Sequence, residues 1–95
     1  MSTETVIQQR IQKYLKGIGA KAVKMHGNEY SEAGIPDLLV CFQGMFLALE
    51  IKRPGAYPTR LQKVQLQRFK DAGAIAGVVR SVEDVETMIA AIVAP

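Results

Sequence analysis

The stretch Gly34-Ile35-Pro36-Asp37-Leu38-Leu39-Val40-Cys41-Phe42-Gln43-Gly44-Met45-Phe46-Leu47-Ala48-Leu49-Glu50-Ile51-Lys52 decides the fold. Two apolar, partly β-branched runs, Asp37 to Phe42 and Met45 to Ile51, flank a Gln43-Gly44 pair, the pattern of a β-hairpin closed by a two-residue turn. With Phe42 facing Met45, every directly opposed pair sums to 87, so Asp37 falls opposite Glu50. Their β-carbons would then lie about 4.5 to 5.5 Å apart, where like charges repel unless something positive lies between them. Lys52, two residues past Glu50, points from the same face, which otherwise carries Leu39, Cys41, Phe46 and Ala48. The reading is a charged trio at one end of a buried stripe. Both hairpin faces are apolar enough to need cover on each side, which implies helices flanking a mixed sheet.

Working outward, Ile7, Ile11, Tyr14, Leu15 and Ile18 recur at helical spacing from Thr3, with Ser2 or Thr3 as N-cap and Gly17 or Gly19 as stop. Ala20 to His26 alternates weakly as a strand, and Gly27 to Gly34 reads as a polar loop in which Gly34 is free to take positive φ. Thr59 to Ala72 is helical, with Thr59-Arg60-Leu61-Gln62 as a capping box and Gly73 as the stop. Ala74 to Val79 is a short strand, and Ser81-Val82-Glu83-Asp84 opens a last helix carrying Val85, Met88, Ile89 and Ile92. The order is α-β-β-β-α-β-α and the class α/β.

The chain has 95 residues, which is one domain's worth, and 48% of them are hydrophobic against 22% charged, the balance of a chain that folds. Apolar runs such as Met45 to Leu49 are far short of the roughly 20 residues of a membrane span, so a soluble, intracellular protein is expected. The single Cys41 excludes an internal disulfide and a multi-cysteine zinc site, and the lone His26 reads as structural. Residues 1–80 hold all 12 Lys and Arg but only six acids, a surplus of six positive charges, and Glu83, Asp84 and Glu86 make the tail acidic. That asymmetry favours a polyanionic partner, with Lys13, Lys16, Arg53, Arg60 and Lys63 as candidate phosphate contacts.

Carboxylates converging from neighbouring strands are what a hard divalent cation such as Mg²⁺ requires, and an adjacent lysine can assist a water or steady charge on a phosphate under attack. Separately, each residue has a plain structural reading: Asp37 as a turn residue, Glu50 and Lys52 as a strand-end ion pair. Glu4 shares a helical stripe with Ile7 and Ile11, so it is either an inward-looking acid or a favourable first-turn charge. Gln62 shares a stripe with Leu66, Phe69 and Gly73 and is also the capping glutamine.

Gly34-Ile35-Pro36-Asp37, then Glu50-Ile51-Lys52, then Gln62 eleven residues before Gly73, resembles the PD-(D/E)XK nuclease superfamily and, within it, the VRR-NUC (virus-type replication-repair nuclease) branch. The likeness runs from Glu4 through Val78-Val79-Arg80-Ser81, and no motif position departs from the family pattern. It implies a single VRR-NUC-like nuclease domain over residues 1–95. Asp37, Glu50 and the main-chain carbonyl of Ile51 would bind Mg²⁺ or Mn²⁺, Lys52 would assist the attacking water, and Glu4 and Gln62 would complete the site. It further implies a stand-alone phage-type protein in the host cytoplasm, a homodimer acting on branched DNA such as four-way junctions. Size agrees, since a body of this length has a radius of gyration of about 12 to 13 Å, too small to span a branched DNA alone. The competing reading is a basic nucleic-acid-binding module whose carboxylates are structural. A small phosphate-ester enzyme would be expected to show a glycine-rich phosphate cradle, and the sequence has no GxGxxG or Walker-type run.

Overall fold

The computed structural model describes residues 2–26 and 32–93. Along the chain run α1 (Thr3–Gly17), β1 (Lys21–Lys24), β2 (Leu38–Phe42), β3 (Met45–Ile51), α2 (Arg60–Asp71), β4 (Ile75–Val79) and α3 (Val82–Val93). This is the expected order, with a few end residues trimmed. Of the Gly27 to Gly34 loop, residues 27–31 lie outside the described residues.

Local chemistry accounts for the element ends. The Ser2 hydroxyl accepts the Thr5 N–H and starts α1, and the full capping box of Thr59 and Gln62 starts α2. Gln43 and Gly44 both take positive φ, the type I′ geometry that matches strand twist in a two-residue hairpin turn.

The sheet order is β1-β2-β3-β4, antiparallel except for the parallel β3–β4 pair. β2 and β3 pair Phe42 with Met45 through Leu38 with Leu49, the register expected from the turn. On one face, Leu38, Val40, Phe42, Leu47, Leu49 and Ile51 pack with Ile7, Ile11 and Leu15 of α1 and Val85 and Ile89 of α3. On the other, Ala48 and Ala76 pack against Leu66 of α2, with Leu39, Phe69 and Val78 around them. The radius of gyration is 12.7 Å. Among the described residues no helix is long and apolar enough to cross a membrane.

One expectation is corrected here. The stripe running from the acids is not buried along its length, because α2 covers β3 and β4 and leaves the turn end of β2 open. Cys41 is exposed, and Phe46 remains 43% exposed even though it stacks on Phe69 at 6.0 Å between ring centroids.

Candidate active site

One step beyond the last ladder pair, Leu38 with Leu49, the register carries Asp37 opposite Glu50. Asp37 is held from both sides: its carbonyl accepts the Met25 N–H at 2.8 Å, and its Oδ2 accepts the Ile51 N–H at 2.7 Å. The carboxylate is therefore anchored to the strand that carries Glu50, with the main chain between Glu50 and Lys52 turned toward it.

The segment before Asp37 is pressed against the first turn of α2. Gly34 takes φ +77°, and a Cβ placed there would lie 2.7 Å from the Leu61 carbonyl carbon and 2.9 Å from the Gln62 nitrogen. Gly34 is thus needed twice, for its backbone conformation and for a close approach that no other residue permits. Gln65, buried on the inner side of α2, fixes the same segment by donating to the Ala33 carbonyl at 3.2 Å and to Glu32 at 3.3 Å. Replacing Gly34 with Ala is expected to cost about 2 to 4 kcal/mol, the sum of a left-handed backbone penalty and a backbone clash. A melting curve checks this, and an unchanged melting temperature would mean the loop is not held against α2.

Glu50 is 2% exposed. Its Oε1 lies 3.8 Å from the Lys52 ammonium, while Oε2 is buried with no hydrogen-bond partner. Burial, then the negative charge of Asp37 and a proton shared with it, push the Glu50 carboxyl up to about 8; Lys52 pulls it back in part and Glu4 adds to the rise. Burial beside a second acid disfavours the charged form, so the Glu50 carboxyl holds its proton well above the ordinary carboxylate range.

Glu4 does not look into the core. Its Oε2 accepts the Arg53 N–H at 3.2 Å and pairs with the Arg53 guanidinium at 3.5 Å, tying α1 to the chain just after Lys52. Gln62 sits at the start of α2, half-buried, with its carboxamide oxygen accepting the Thr59 N–H at 2.8 Å. The candidate phosphate contacts divide. Arg53 follows Lys52 and is held by Glu4, and Arg60 and Lys63 lie in the first turn of α2, the turn that abuts Gly34, whereas Lys13 and Lys16 lie about 14 to 18 Å further along α1 from Glu4, at 1.5 Å per residue.

No protein-family model and no curated protein matches this sequence. Among solved structures, a VRR_NUC domain superposes with a TM-score of 0.79 at 27% identity, covering 94% of this chain and 96% of that one. The chain has the VRR-NUC fold. A VRR_NUC domain protein matches with a TM-score of 0.72 at 22% identity, covering 98% of this chain and 89% of the other. Hjc, a Holliday junction resolvase from the archaeal hyperthermophile Archaeoglobus fulgidus, matches with a TM-score of 0.63 at 23% identity, over 81% of this chain and 67% of its own.

Within this VRR-NUC fold three features escaped the sequence reading. Gln65 carried a signal, since it lies three residues from Gln62 beside the buried stripe of α2. The Glu4–Arg53 pair joins residues 49 apart and had none. Arg80 stood in the sequence only as part of the Val78 to Ser81 likeness, and the donation of its guanidinium to the Ala56 carbonyl at 2.9 Å and its place over the Tyr57 ring had no signal either.

Proposed function

We propose that this protein is a DNA endonuclease that hydrolyses phosphodiester bonds with a divalent cation, Mg²⁺ or Mn²⁺, and that its substrate is branched DNA such as a four-way junction. The observation that carries the reading is the Asp37–Glu50 pair with its buried, unpartnered carboxylate oxygen. A merely structural pair would be expected to satisfy that oxygen, because an unpaired buried polar atom costs about 1 to 3 kcal/mol. The VRR_NUC domain at 27% identity and the fold shared with a junction resolvase support a nuclease acting on branched DNA.

The donors fit a hard cation. Among the described residues no group of three or more His, Cys, Asp or Glu side chains could hold an ion alone. The two carboxylates and the Ile51 carbonyl would hold it, and water and a substrate phosphate would complete the shell, as Mg²⁺ favours. The cation would supply polarisation of the phosphodiester and of an attacking water.

The chain's own residues do the rest. The Ile51 N–H fixes the orientation of Asp37. Glu50 releases its proton when its second oxygen acquires a positive partner, so cation affinity is expected to rise with pH up to about 8. The Lys52 ammonium, 3.8 Å from Glu50, is placed to orient water or to steady charge on the phosphate. Glu4 and Gln62 hold the surrounding loop and helix start, and Arg53, Arg60 and Lys63 attract the backbone of the DNA.

The test is incubation of the protein with labelled linear, flapped and four-way DNA, with and without Mg²⁺ or Mn²⁺. Cleavage that requires the cation and favours the branched forms is expected. Binding with no cation-dependent cleavage would return the protein to the class of basic binding modules. One site on a body of 12.7 Å radius of gyration also points to a two-fold dimer for paired incisions. Light scattering should then give twice the chain mass.

A further inference from the structure

Tyr57 is 76% exposed, the most open of the large apolar side chains among the described residues. Its surroundings are nonetheless fixed. Arg53-Pro54-Gly55-Ala56 forms a turn closed by the Ala56 N–H to the Arg53 carbonyl at 3.1 Å, with Gly55 at φ +84°, the type II pattern of Pro then Gly. The Ala56 carbonyl accepts from Arg80 at 2.9 Å, Glu4 grips the Arg53 end, and Pro58 restricts the backbone of Tyr57 to extended conformations. The Arg80 guanidinium stands 5.4 Å from the ring centroid, which leaves the opposite face of the ring to solvent. A tyrosine this exposed adds little to the core, yet the turn before it is fixed and Arg80 stands over one face of its ring.

The ring also stands at the same edge as the candidate site. β3 and β4 are parallel and pair Ile51 with Val79, and the Lys52 N–H bonds the Val79 carbonyl at 3.1 Å, so Lys52 and Arg80 leave the sheet side by side. Arg80 and Arg10 line a hollow of about 150 Å³ between α1 and the start of α3. A strand crossing the ring would therefore meet Arg80 against the ring and Arg53 at the start of its turn, next to Lys52, with Arg10 and Glu83 lining the hollow beyond.

We propose that Tyr57, held by Arg80, is a stacking platform for a nucleotide base of the strand engaged at the Asp37–Glu50 site. Bases inside a continuous duplex have both faces covered by their neighbours, so a base can lie on Tyr57 only where the DNA is unpaired or unstacked. The platform thus selects forked, flapped or junction DNA over intact duplex and gives a physical origin to the branched preference. It rests on the nuclease reading for its purpose but not for its detection.

The test measures binding without added metal, by fluorescence anisotropy, to an intact duplex and to a forked DNA of the same length carrying 2-aminopurine at the first unpaired positions. Tyr57→Ala should bind the forked DNA roughly 5- to 150-fold more weakly, the range for losing one base–aromatic stack, and should leave duplex binding within twofold. Tyr57→Phe should retain wild-type affinity and the quenching of 2-aminopurine, whereas Tyr57→Leu, with bulk but no π face, should lose both. Unchanged forked-DNA affinity in Tyr57→Ala, equal loss on both DNAs, or a change in oligomeric mass that assigns the ring to a protein contact would each overturn the platform. Wild-type protein that shows the Tyr57 effect but never cleaves with Mg²⁺ or Mn²⁺ would remove the nuclease reading and leave the platform standing.

Discussion

Replacing Glu50 with Gln is expected to abolish cation-dependent cleavage while making the metal-free protein more stable. Glu50 has the ordinary value of 4.5 when unfolded and is pushed up to about 8 when folded, by burial and then by Asp37. Below pH 4.5 the carboxyl is protonated in both states and costs nothing. Between pH 4.5 and about 8 the unfolded chain holds fewer protons than the folded one, so folding stability falls as pH rises. At 1.36 kcal/mol per unit the full loss approaches 4 to 5 kcal/mol above pH 8, an upper figure because the site can relax. Gln keeps the shape and a donor toward Asp37 and removes that slope. Its melting temperature should therefore exceed that of the wild type most at pH 8 to 9 and least near pH 5. Asp37→Asn should also lose cleavage and ease the repulsion, and the double variant should lose the rise in melting temperature that Mg²⁺ or Mn²⁺ gives the wild type by mass action. A Glu50→Gln protein that cuts normally, or whose stability tracks the wild type across pH, would end the carboxylate reading.

The approach of Asp37, Glu50 and Lys52 was legible because hairpin register is arithmetic: a two-residue turn and a period of two place every side chain relative to the turn. Helix starts were legible for the same kind of reason, since Ser2 and the Thr59–Gln62 box act within four residues. What could not be read depends on contacts between elements. That Gly34 rests on the backbone of Leu61 and Gln62 requires knowing where α2 lies relative to the loop, and φ freedom alone gave only half its role. Glu4 sat on the stripe of Ile7 and Ile11, yet its carboxylate accepts the Arg53 N–H and pairs with the Arg53 guanidinium, partners 49 residues away that the spacing within α1 does not contain. The exposure of Phe46 and Cys41 followed from how far a twelve-residue helix reaches across the sheet, which periodicity within one strand does not contain. The separation of Lys13 and Lys16 from the acids was available in principle, because α1 has a known rise and Glu4 marks its site end.

Lys52→Met is the second large effect. Methionine keeps the stem that fills the half-buried position, where the lysine side chain is 14% exposed, and deletes only the charge. Two consequences separate. Lys52 lowers the Glu50 value, so without it Glu50 holds its proton to higher pH and more cation or a higher pH is needed to fill the site. That part should vanish at saturating metal above pH 8. What remains is the loss of the ammonium beside the reacting phosphate, which should slow the chemical step by about 10² to 10⁴-fold, as for other single proton-transfer or electrostatic groups. Lys52→Arg should restore the charge effect on Glu50 but not the rate, because a guanidinium is broader and cannot give up a proton near neutral pH. Single-turnover cleavage of a four-way junction at several pH values resolves the two. Wild-type rates for Lys52→Met at saturating metal would mean that the lysine serves only to offset the buried carboxylate, and the water-assisting role would have to pass to another group at the site.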